Sequence, residues 1–509
     1  MRRPSLSLFV LAAALVMPAC TPRNAHHPPV SPDPGQASDP TLATPDAVAL
    51  EPIELELGSA LDNRFVTAGA PSERWVRIGV RSPELEEVPR PPANIGLVVD
   101  TSGSMAGDAI AQARQAALTL LEDLHEGDSF SVVAFGSVAE VLVPATTISP
   151  DTTPGIVTAI EGMEASGTTS LSTALSQGWY QVQSRAGQYE INRMVLVSDG
   201  VPNDEAAVDV AVSQVGVPIT ALGLGLEFHE TLLGRIAQQT GGRFHFVEEP
   251  TKVAAVFRDE VLGLERLAAT SVSVTLNPGP GVSVVEVPGY GSTHHGMSQN
   301  GRGYVLRLPD LAEHEERTLL VKLAVGSHRD GATVELLDGV VNYTDARAGQ
   351  GMVERTFVSA KATADEGTMA EGVNLEVAIA AARATAAAAT LQAVSMARSG
   401  QVDAARKLAL GTIEDGRALL KDMPDEELSR LVDGLVELEP TLDGLAPPPP
   451  PKVTHHRHRN KKSTRPTPMV KAAPAPVPTR PTLGQDGIEA QARSVRENHN
   501  QAYQLLHGN

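Results

Sequence analysis

The chain has 509 residues, enough for about three domains that each bury a core of their own. Its formal net charge is −20 at pH 7, and residues 447–481 hold eight Lys or Arg and no Asp or Glu, so the rest of the chain is more acidic still. Nucleic-acid binding by that acidic part is disfavoured, because phosphate contacts need a basic face. The only cysteine, Cys20, excludes an intrachain disulfide and a thiolate metal cluster.

The start of the chain has the pattern of an export signal. Met1–Arg3 are positively charged at the N-terminus, and Leu6–Met17 form an apolar core too short to span a bilayer. The segment resembles the secretory signal of bacterial lipoproteins, with Cys20 as the lipidated first residue of the mature chain. Ordinary signal cleavage and an uncleaved anchor stay open, because Met17 and Pro18 depart from the usual lipobox. The expected location is the cell envelope, on the outer membrane or the periplasmic face.

Composition and periodicity divide the remaining chain into segments. Residues 21–50 are rich in Pro, Ser, Thr and Asp without apolar periodicity, which predicts a disordered tether. Apolar residues alternate with polar ones around 76–80 and again between 267 and 360, which predicts a β-sandwich built from both stretches. The predicted order is signal (1–20), tether (21–50), sandwich strands and linker (51–92), α/β domain (93–257), β-sandwich (267–360), helical region (371–443), Pro-rich basic linker (447–481) and short terminal helix (482–509).

The segment from 93 to 257 alternates short apolar runs with amphipathic stretches. This alternation predicts an α/β fold with a doubly wound, mostly parallel sheet that is covered on both faces. Ligands of such sheets bind beyond the carboxyl ends of the strands. The predicted strands are Ile95–Val99, Phe130–Phe135, Met194–Val197, Ile219–Leu224 and Gly241–Val247, and the predicted helices are Asp108–Leu124, Leu171–Gln183, Asp204–Val215 and Glu230–Gln239.

Polar residues follow two of these strands. Asp100-Thr-Ser102-Gly-Ser104 comes directly after the first apolar run, and Asp199 follows the run that begins at Met194. A small-residue loop, Ser166–Ser170, precedes the predicted helix at Leu171. Carboxylate and hydroxyl oxygens are hard ligands that suit Mg²⁺, Mn²⁺ or Ca²⁺. The three segments together predict a site for one hard divalent cation.

These motifs resemble the von Willebrand factor type A domain with its metal-ion-dependent adhesion site, over about residues 93–257. The resemblance implies that Ser102, Ser104 and Thr169 are direct ligands of Mg²⁺, with Mn²⁺ or Ca²⁺ as alternatives. It also implies that Asp100 and Asp199 hold the ion through waters or directly. Thr168 and Ser170 stand where the family usually has Gly and Asn, so a transfer of the ligand role to Thr168 stays open. The flanks are similar to those of bacterial envelope proteins that carry this domain.

The predicted ligand set indicates binding rather than catalysis. Three neutral hydroxyls leave a divalent cation incompletely neutralised, and its exchangeable positions favour a further carboxylate. The chain is therefore predicted to be a protein-binding module, for adhesion or scaffolding, that docks an Asp or Glu of a partner protein on the ion. The usual catalytic motifs are missing from the sequence, so the prediction is that it is not an enzyme.

Three alternatives stay open from the sequence. Asp100 could be the nucleophile of a Mg²⁺-dependent phosphohydrolase, although residues 93–247 contain no lysine to assist it. Asp100 and the two serines could instead cap the helix that follows. The α/β domain could also be a passive scaffold, with the basic linker and the terminal helix as the working parts.

The C-terminal third is predicted to be mostly helical. Alanine-rich sequence over Asn374–Leu442 predicts a helical hairpin and a further helix at Asp425–Leu438. Its arginines argue against a membrane span. The Pro-rich basic linker is expected to be extended and to contact an anionic envelope surface. The terminal helix is expected to dock on its own chain or on a partner, with Ile488, Ala492, Val495, His499, Ala502 and Leu506 near one face.

Overall fold

The computed structural model of the protein describes residues 52–85, 91–189, 191–199, 205–224, 230–247, 266–290, 296–297, 303–445 and 485–507, with single positions between 252 and 263. The predicted signal with Cys20, the tether and the basic linker lie outside the described residues. The predictions made for those three segments stay predictions.

Strands and helices are numbered here in chain order within the described residues. The strands are β1 Glu56–Leu61, β2 Phe65–Thr67, β3 Ser72–Arg81, β4 Ala93–Asp100, β5 Ser129–Phe135, β6 Ala139–Thr147, β7 Ile191–Ser198, β8 Ile219–Leu224, β9 Phe244–Val247, β10 Leu267–Pro278, β11 Val282–Glu286, β12 Gly296–Met297, β13 Tyr304–Arg307, β14 Leu311–Ala312, β15 Glu316–Val325, β16 Thr333–Asp345 and β17 Gly351–Thr363. The helices are α1 Asp108–Asp123, α2 Thr153–Glu161, α3 Leu171–Gln183, α4 Glu205–Gln214, α5 Glu230–Thr240, α6 Glu366–Glu371, α7 Leu375–Arg398, α8 Val402–Asp422, α9 Glu426–Leu438, α10 Leu442–Leu445 and α11 Gln485–His507.

A six-stranded sheet forms the centre of the α/β domain, in the order β6-β5-β4-β7-β8-β9. Five of its strands run parallel, and β6 pairs antiparallel with β5 at one edge. The prediction of a doubly wound, mostly parallel sheet is confirmed. The strand β8 and the helix α3 have the predicted bounds, whereas β6 and α2 were not predicted.

Helices bury both faces of this sheet. Because successive side chains of a strand point to opposite faces, Leu97 and Val99 of β4 pack in one core with α1 and α2, and Val98 packs in the other with α3, α4 and α5. Every residue of β4 is buried. This two-sided burial explains why the strand reads as an uninterrupted apolar run.

The β-sandwich combines strands from before and after the α/β domain. One sheet has the order β1-β3-β15-β11, and the other has the order β12-β13-β10-β16-β17-β2, with β14 paired to β10. The register of β3 with β15 extends from Arg81 opposite Glu316 to Ser72 opposite Val325. The α/β domain is therefore inserted in sequence between β3 and β10 of the sandwich.

The helical region is built on the alanine-rich helix α7. Its small side chains, such as Ala387 and Ala393, are fully buried where α7 meets its neighbouring helices. Arg383 of α7 forms ion pairs with Asp425 and Glu427 at the start of α9. Of the described helices, α7 alone has the length and apolar composition of a membrane span, and half of its most apolar stretch is buried inside the protein. That burial is typical of a core helix.

A buried ion pair joins the α/β domain to the helical region. Glu230, the first residue of α5, accepts hydrogen bonds of 2.9 and 2.7 Å from the guanidinium of Arg398 on α7. The Glu230 side chain is 1% exposed and the Arg398 side chain 23%, so the carboxylate has lost nearly all of its hydration. Burial alone would raise the pKa of Glu230, but Arg398, His499 and Arg496 outweigh it and hold that pKa below its usual value. The carboxylate therefore stays charged and depends on its cationic neighbours.

We expect Arg398→Met to destabilise the protein by about 3–5 kcal/mol, because it leaves the Glu230 charge buried and without its bidentate partner. The double variant Glu230→Gln with Arg398→Met should recover much of that loss. Denaturant unfolding measures both effects. Arg81→Met, which breaks the exposed pair of Arg81 with Glu316, is the control and should change little. An Arg398→Met variant as stable as the parent would contradict this account.

Candidate metal centre

The predicted ligands lie where β4 and β7 end. Asp100 is the last residue of β4, and Asp199 directly follows β7, which is its neighbour in the sheet. Parallel neighbours end at the same edge of a sheet, so the two loops that follow these strands meet there. The loop before α3, which carries Thr169, joins them through backbone hydrogen bonds described below.

Asp100 is fully buried and is held by local hydrogen bonds. Its Oδ1 accepts the backbone N–H of Ser102 at 2.8 Å, and its Oδ2 accepts the hydroxyl of Ser198 at 2.7 Å. Burial raises the pKa of the Asp100 carboxyl, although its hydrogen bonds with Ser102 and Ser198 oppose that rise. A cation in contact with these loops would stabilise the charged form of this carboxyl.

Ser102, Ser104 and Asp199 form a continuous chain of oxygen atoms. The hydroxyls of Ser102 and Ser104 are 3.0 Å apart, and Ser104 donates to Oδ1 of Asp199 at 2.9 Å. Adjacent ligand oxygens of an octahedral Mg²⁺ are also about 3 Å apart, given metal–oxygen distances of about 2.1 Å. The spacing and the chemistry of these oxygens therefore fit a hard divalent cation.

Backbone hydrogen bonds fix the loop of Thr169 against the loop that follows β4. The N–H of Ser166 donates to the carbonyl of Thr101 at 2.6 Å, and the N–H of Gly103 donates to the carbonyl of Gly167 at 3.0 Å. Gly136, in the loop after β5, lies against the loop of Thr169, and a Cβ on Gly136 would come within 2.3 Å of the carbonyl oxygen of Ser166. Only glycine permits this close approach.

The two threonines of this loop have different surroundings. Thr168 is exposed, and both its amide (2.9 Å) and its hydroxyl (3.3 Å) contact the Ser137 hydroxyl in the loop after β5. Thr169 is buried, as Ser102 and Asp100 are. Because the Thr168 hydroxyl contacts Ser137, Thr169 is favoured as the metal ligand.

Helix capping does not explain the Asp100 motif. The helix α1 begins at Asp108, its N-cap residue is Gly107 with φ +85°, and no side chain caps it. The short 3-10 turn at Gly103–Met105 also lacks a side-chain cap. The capping alternative is therefore wrong, and the hydroxyls of Ser102 and Ser104 instead contact each other and Asp199.

Sequence reasoning missed Ser137 and Ser198, which hold Thr168 and Asp100 in place. Ser198 directly precedes Asp199 at the end of β7, and this position could have indicated that it lies at the site. No sequence pattern indicated Ser137, because the neighbouring strand β6 was not predicted. The described residues hold no group of three or more His, Cys, Asp or Glu that could bind a metal. The donor set gathered here contains two carboxylates, Asp100 and Asp199, together with hydroxyls.

The fold and the site together define a class of protein. Its members have an α/β domain with polar loops at the carboxyl ends of the central strands. The family described as the von Willebrand factor type A domain matches residues 94–259. A von Willebrand factor type A protein of Catenulispora acidiphila has the same fold, with a TM-score of 0.59 at 18% identity over 76% of this chain and 90% of its own. Residues 94–259 are therefore a von Willebrand factor type A domain. This is the family that the sequence motifs resemble.

Relatives match more than this domain alone. The protein sll0103 of Synechocystis sp. is 26% identical over 309 residues, which cover 58% of this chain and 73% of that protein. The bovine inter-alpha-trypsin inhibitor heavy chain H4 is 28% identical over 200 residues, and the match spans 36% of this chain but 21% of the bovine protein. The likeness to sll0103 thus extends well beyond the 94–259 region.

We expect Mg²⁺ or Mn²⁺ to raise the melting temperature of the protein and Ser104→Ala to abolish that rise. A ligand at 100 times its Kd stabilises a folded protein by about 2.7 kcal/mol, so the shift is measurable by calorimetry. Ser104 is exposed, and its loss should change the metal-free melting temperature little.

Ser213→Ala on α4 is the matched control, because it removes an exposed serine hydroxyl outside the predicted ligand set. It should keep the full response to the ion. A Ser104→Ala variant with an undiminished response would remove Ser104 from the ligand set.

Proposed function

We propose that the chain is a divalent-metal-dependent protein-binding module, tethered in the bacterial cell envelope, that docks an acidic residue of a partner protein. Domains of the von Willebrand factor type A family are protein-interaction modules and often depend on a metal. The observation that carries the proposal is the oxygen chain from Ser102 through Ser104 to Asp199, next to buried Asp100.

Ser102, Ser104 and Thr169 would hold the ion, with Asp100 and Asp199 holding it through waters or directly. When bound, Mg²⁺, or Mn²⁺ or Ca²⁺ in its place, supplies an open coordination position for a carboxylate. Buried Asp100 fixes the Ser102 amide, and Ser104 and Asp199 lie where a partner can approach. The chain itself performs no bond-breaking step in this proposal.

The surface beside these residues favours a protein partner. Val138, in the loop after β5, is 76% exposed although it is aliphatic, and hydrogen bonds of Ser137 and Gly136 fix this loop against the loop of Thr169. An exposed apolar side chain on a loop that meets the predicted ligand loop suits a partner that presents an acidic residue beside an apolar one. A small phosphate ester offers no apolar surface to cover that side chain.

A phosphohydrolase that uses Asp100 as its nucleophile is the alternative. The geometry opposes it, because both Asp100 oxygens accept hydrogen bonds and the side chain is fully buried. Turnover of a phosphate ester that Asp100→Asn abolishes would restore it.

Cys20 is the proposed lipidation site, and an anchor there would place the module on the outer membrane or the periplasmic face. The basic linker 447–481 would contact the anionic envelope surface. Radiolabelled palmitate incorporation that Cys20→Ala abolishes tests the anchor independently of the metal centre.

We expect the protein to retain a partner from envelope extract in the presence of Mg²⁺ and to lose it when a chelator is added. Asp100→Ala and Ser104→Ala should each abolish retention while circular dichroism stays unchanged. Val138→Lys should weaken retention without changing the thermal response to Mg²⁺, because it alters the rim and leaves the ligands intact.

Ser213→Ala is again the control and should retain the partner. Retention that survives both the chelator and Asp100→Ala would overturn the proposal and favour the scaffold alternative, which deletion of residues 447–509 would then test.

A further inference from the structure

The C-terminal helix α11 lies in a groove lined by three parts of the molecule. It packs against α5 and β9 of the α/β domain, α7 and α9 of the helical region, and β15 of the sandwich. Of the predicted face, Val495, His499, Ala502 and Leu506 are buried and Ala492 is half-buried. A single helix thus contacts all three parts.

Aromatic contacts define how α11 sits in this groove. Tyr503 meets the ring of Phe244 in β9 edge-on at 5.3 Å, and His507 meets Tyr290, in the turn after β11, at 5.1 Å. Gly234 of α5 makes room for Tyr503, because a Cβ at that position would lie 3.3 Å from its ring. The groove is shaped for this particular helix.

The polar contacts of α11 are of two kinds: Arg496 and His499 face the buried Glu230 carboxylate, whereas two hydrogen bonds to α9 are long. Ser494 donates to Glu437 at 3.4 Å and Asn498 to the carbonyl of Gly434 at 3.3 Å, both near the upper limit for a hydrogen bond. Tyr503 Oη, His507 Nε2 and Asn500 Oδ1 are buried without a hydrogen-bond partner among the described residues. Each of these atoms gives up water when the helix docks and gains no hydrogen bond from the part of the chain that the structure describes. Docking is therefore favoured by the burial of apolar side chains and opposed by the burial of these polar atoms.

The composition of the segment suits solvent once it has left the groove. The sequence of 485–507 is rich in Gln, Asn, Arg and Glu, and 39 residues separate it from α10. A connection of that order keeps a released segment at an effective concentration of roughly millimolar, so it rebinds readily. Most of the stability of a helix in a protein comes from the packing of its apolar face, so release and unfolding of this helix are coupled.

We propose that the groove formed by α5, α7, α9 and the 287–290 turn is a helix-binding site, and that residues 485–507 are its reversible intramolecular ligand, released by mild acid. This inference is independent of the metal centre. It assigns the terminal helix a role as a detachable connection between the three parts of the molecule.

The acid dependence follows from the surroundings of His507. It faces Tyr290 from the turn, Tyr503 from its own helix and Arg317 from β15, and burial together with Arg317 lowers its pKa to about 3. Near the other end of the contact, His499 and Arg496 of α11 face Glu230 of α5 and Arg398 of α7. A released His507 has an ordinary pKa of about 6.5. Docking is therefore fully favoured above about pH 6.5 and is lost progressively as the pH falls toward 3.

Hydrogen exchange on the full chain tests the proposal. At pH 7.5 the amides of 492–507 should exchange about tenfold or more faster than those of α7 and α9, because α11 opens locally. At pH 5 their opening equilibrium should rise by about thirtyfold, which is the ratio set by pKa values of about 6.5 and 3. His507→Leu, which neither titrates nor buries a polar atom, should remove that rise and slow exchange at pH 7.5.

A glycine pair supplies the matched variants. The three atoms nearest to a Cβ on Gly434 of α9 all belong to the Asn498 side chain of α11, the first at 2.6 Å, whereas a Cβ on Gly411 of α8 meets nothing within 4 Å. Gly434→Leu should abolish the protection of 492–507 and leave α7 and α8 protected, and Gly411→Leu should change neither. Loss of protection throughout the helical region in Gly434→Leu would show that α11 is a fixed part of the core and overturn the proposal.

Two further outcomes would also overturn it. Protection of 492–507 that rises with protein concentration would identify the occupant as the helix of a second copy. An unchanged acid response in His507→Leu would remove His507 as the cause of release.

Discussion

The burial of the Asp100 carboxylate at the end of β4 is the constraint on which the candidate centre depends. A carboxylate removed from water must be compensated by hydrogen bonds or by a nearby cation. The Ser102 amide and the Ser198 hydroxyl provide part of that compensation, and in doing so they fix the loop that carries Ser102 and Ser104. Burial raises the pKa of Asp100 in spite of these two hydrogen bonds. The same burial that orders the loop therefore also favours a cation beside it.

Sequence alone predicted the central strands and helices because their burial is two-sided and their periodicity clear. The bounds of α3 and β8 agree with the prediction, and the loops that carry Asp100, Thr169 and Asp199 were placed at the correct strand and helix ends. The strand β6 was missed because it is an antiparallel edge strand with mostly half-buried residues and Pro144 in its interior. Its apolar run, Val141–Val143, is only three residues long, and proline argues against a strand in a sheet interior.

Contacts between distant segments were beyond sequence reasoning. Arg398 reads locally as a basic residue in the last turn of a helix, a favourable position for the helix dipole, yet it pairs with Glu230, which is 168 residues away. The hydroxyl of Ser137 was equally invisible, because its partner Thr168 lies across a fold that had first to be assembled. Periodicity gives the elements and their faces, but the partner of a buried polar group depends on how the elements pack.

The helical region shows two ways in which one chain joins its parts. Between α7 and α9, Arg383 bonds Asp425 and Glu427 while small apolar side chains fill the interior, so polar and apolar terms favour the same arrangement. At α11 the polar terms are mixed, because Arg496 and His499 face the Glu230 carboxylate whereas Tyr503 and Asn500 bury polar atoms that leucine or alanine would not carry. A helix selected for permanent packing would carry apolar residues at such positions, since an apolar replacement of the same shape removes the cost. The polar face of α11 is therefore better explained by reversible docking than by stability alone.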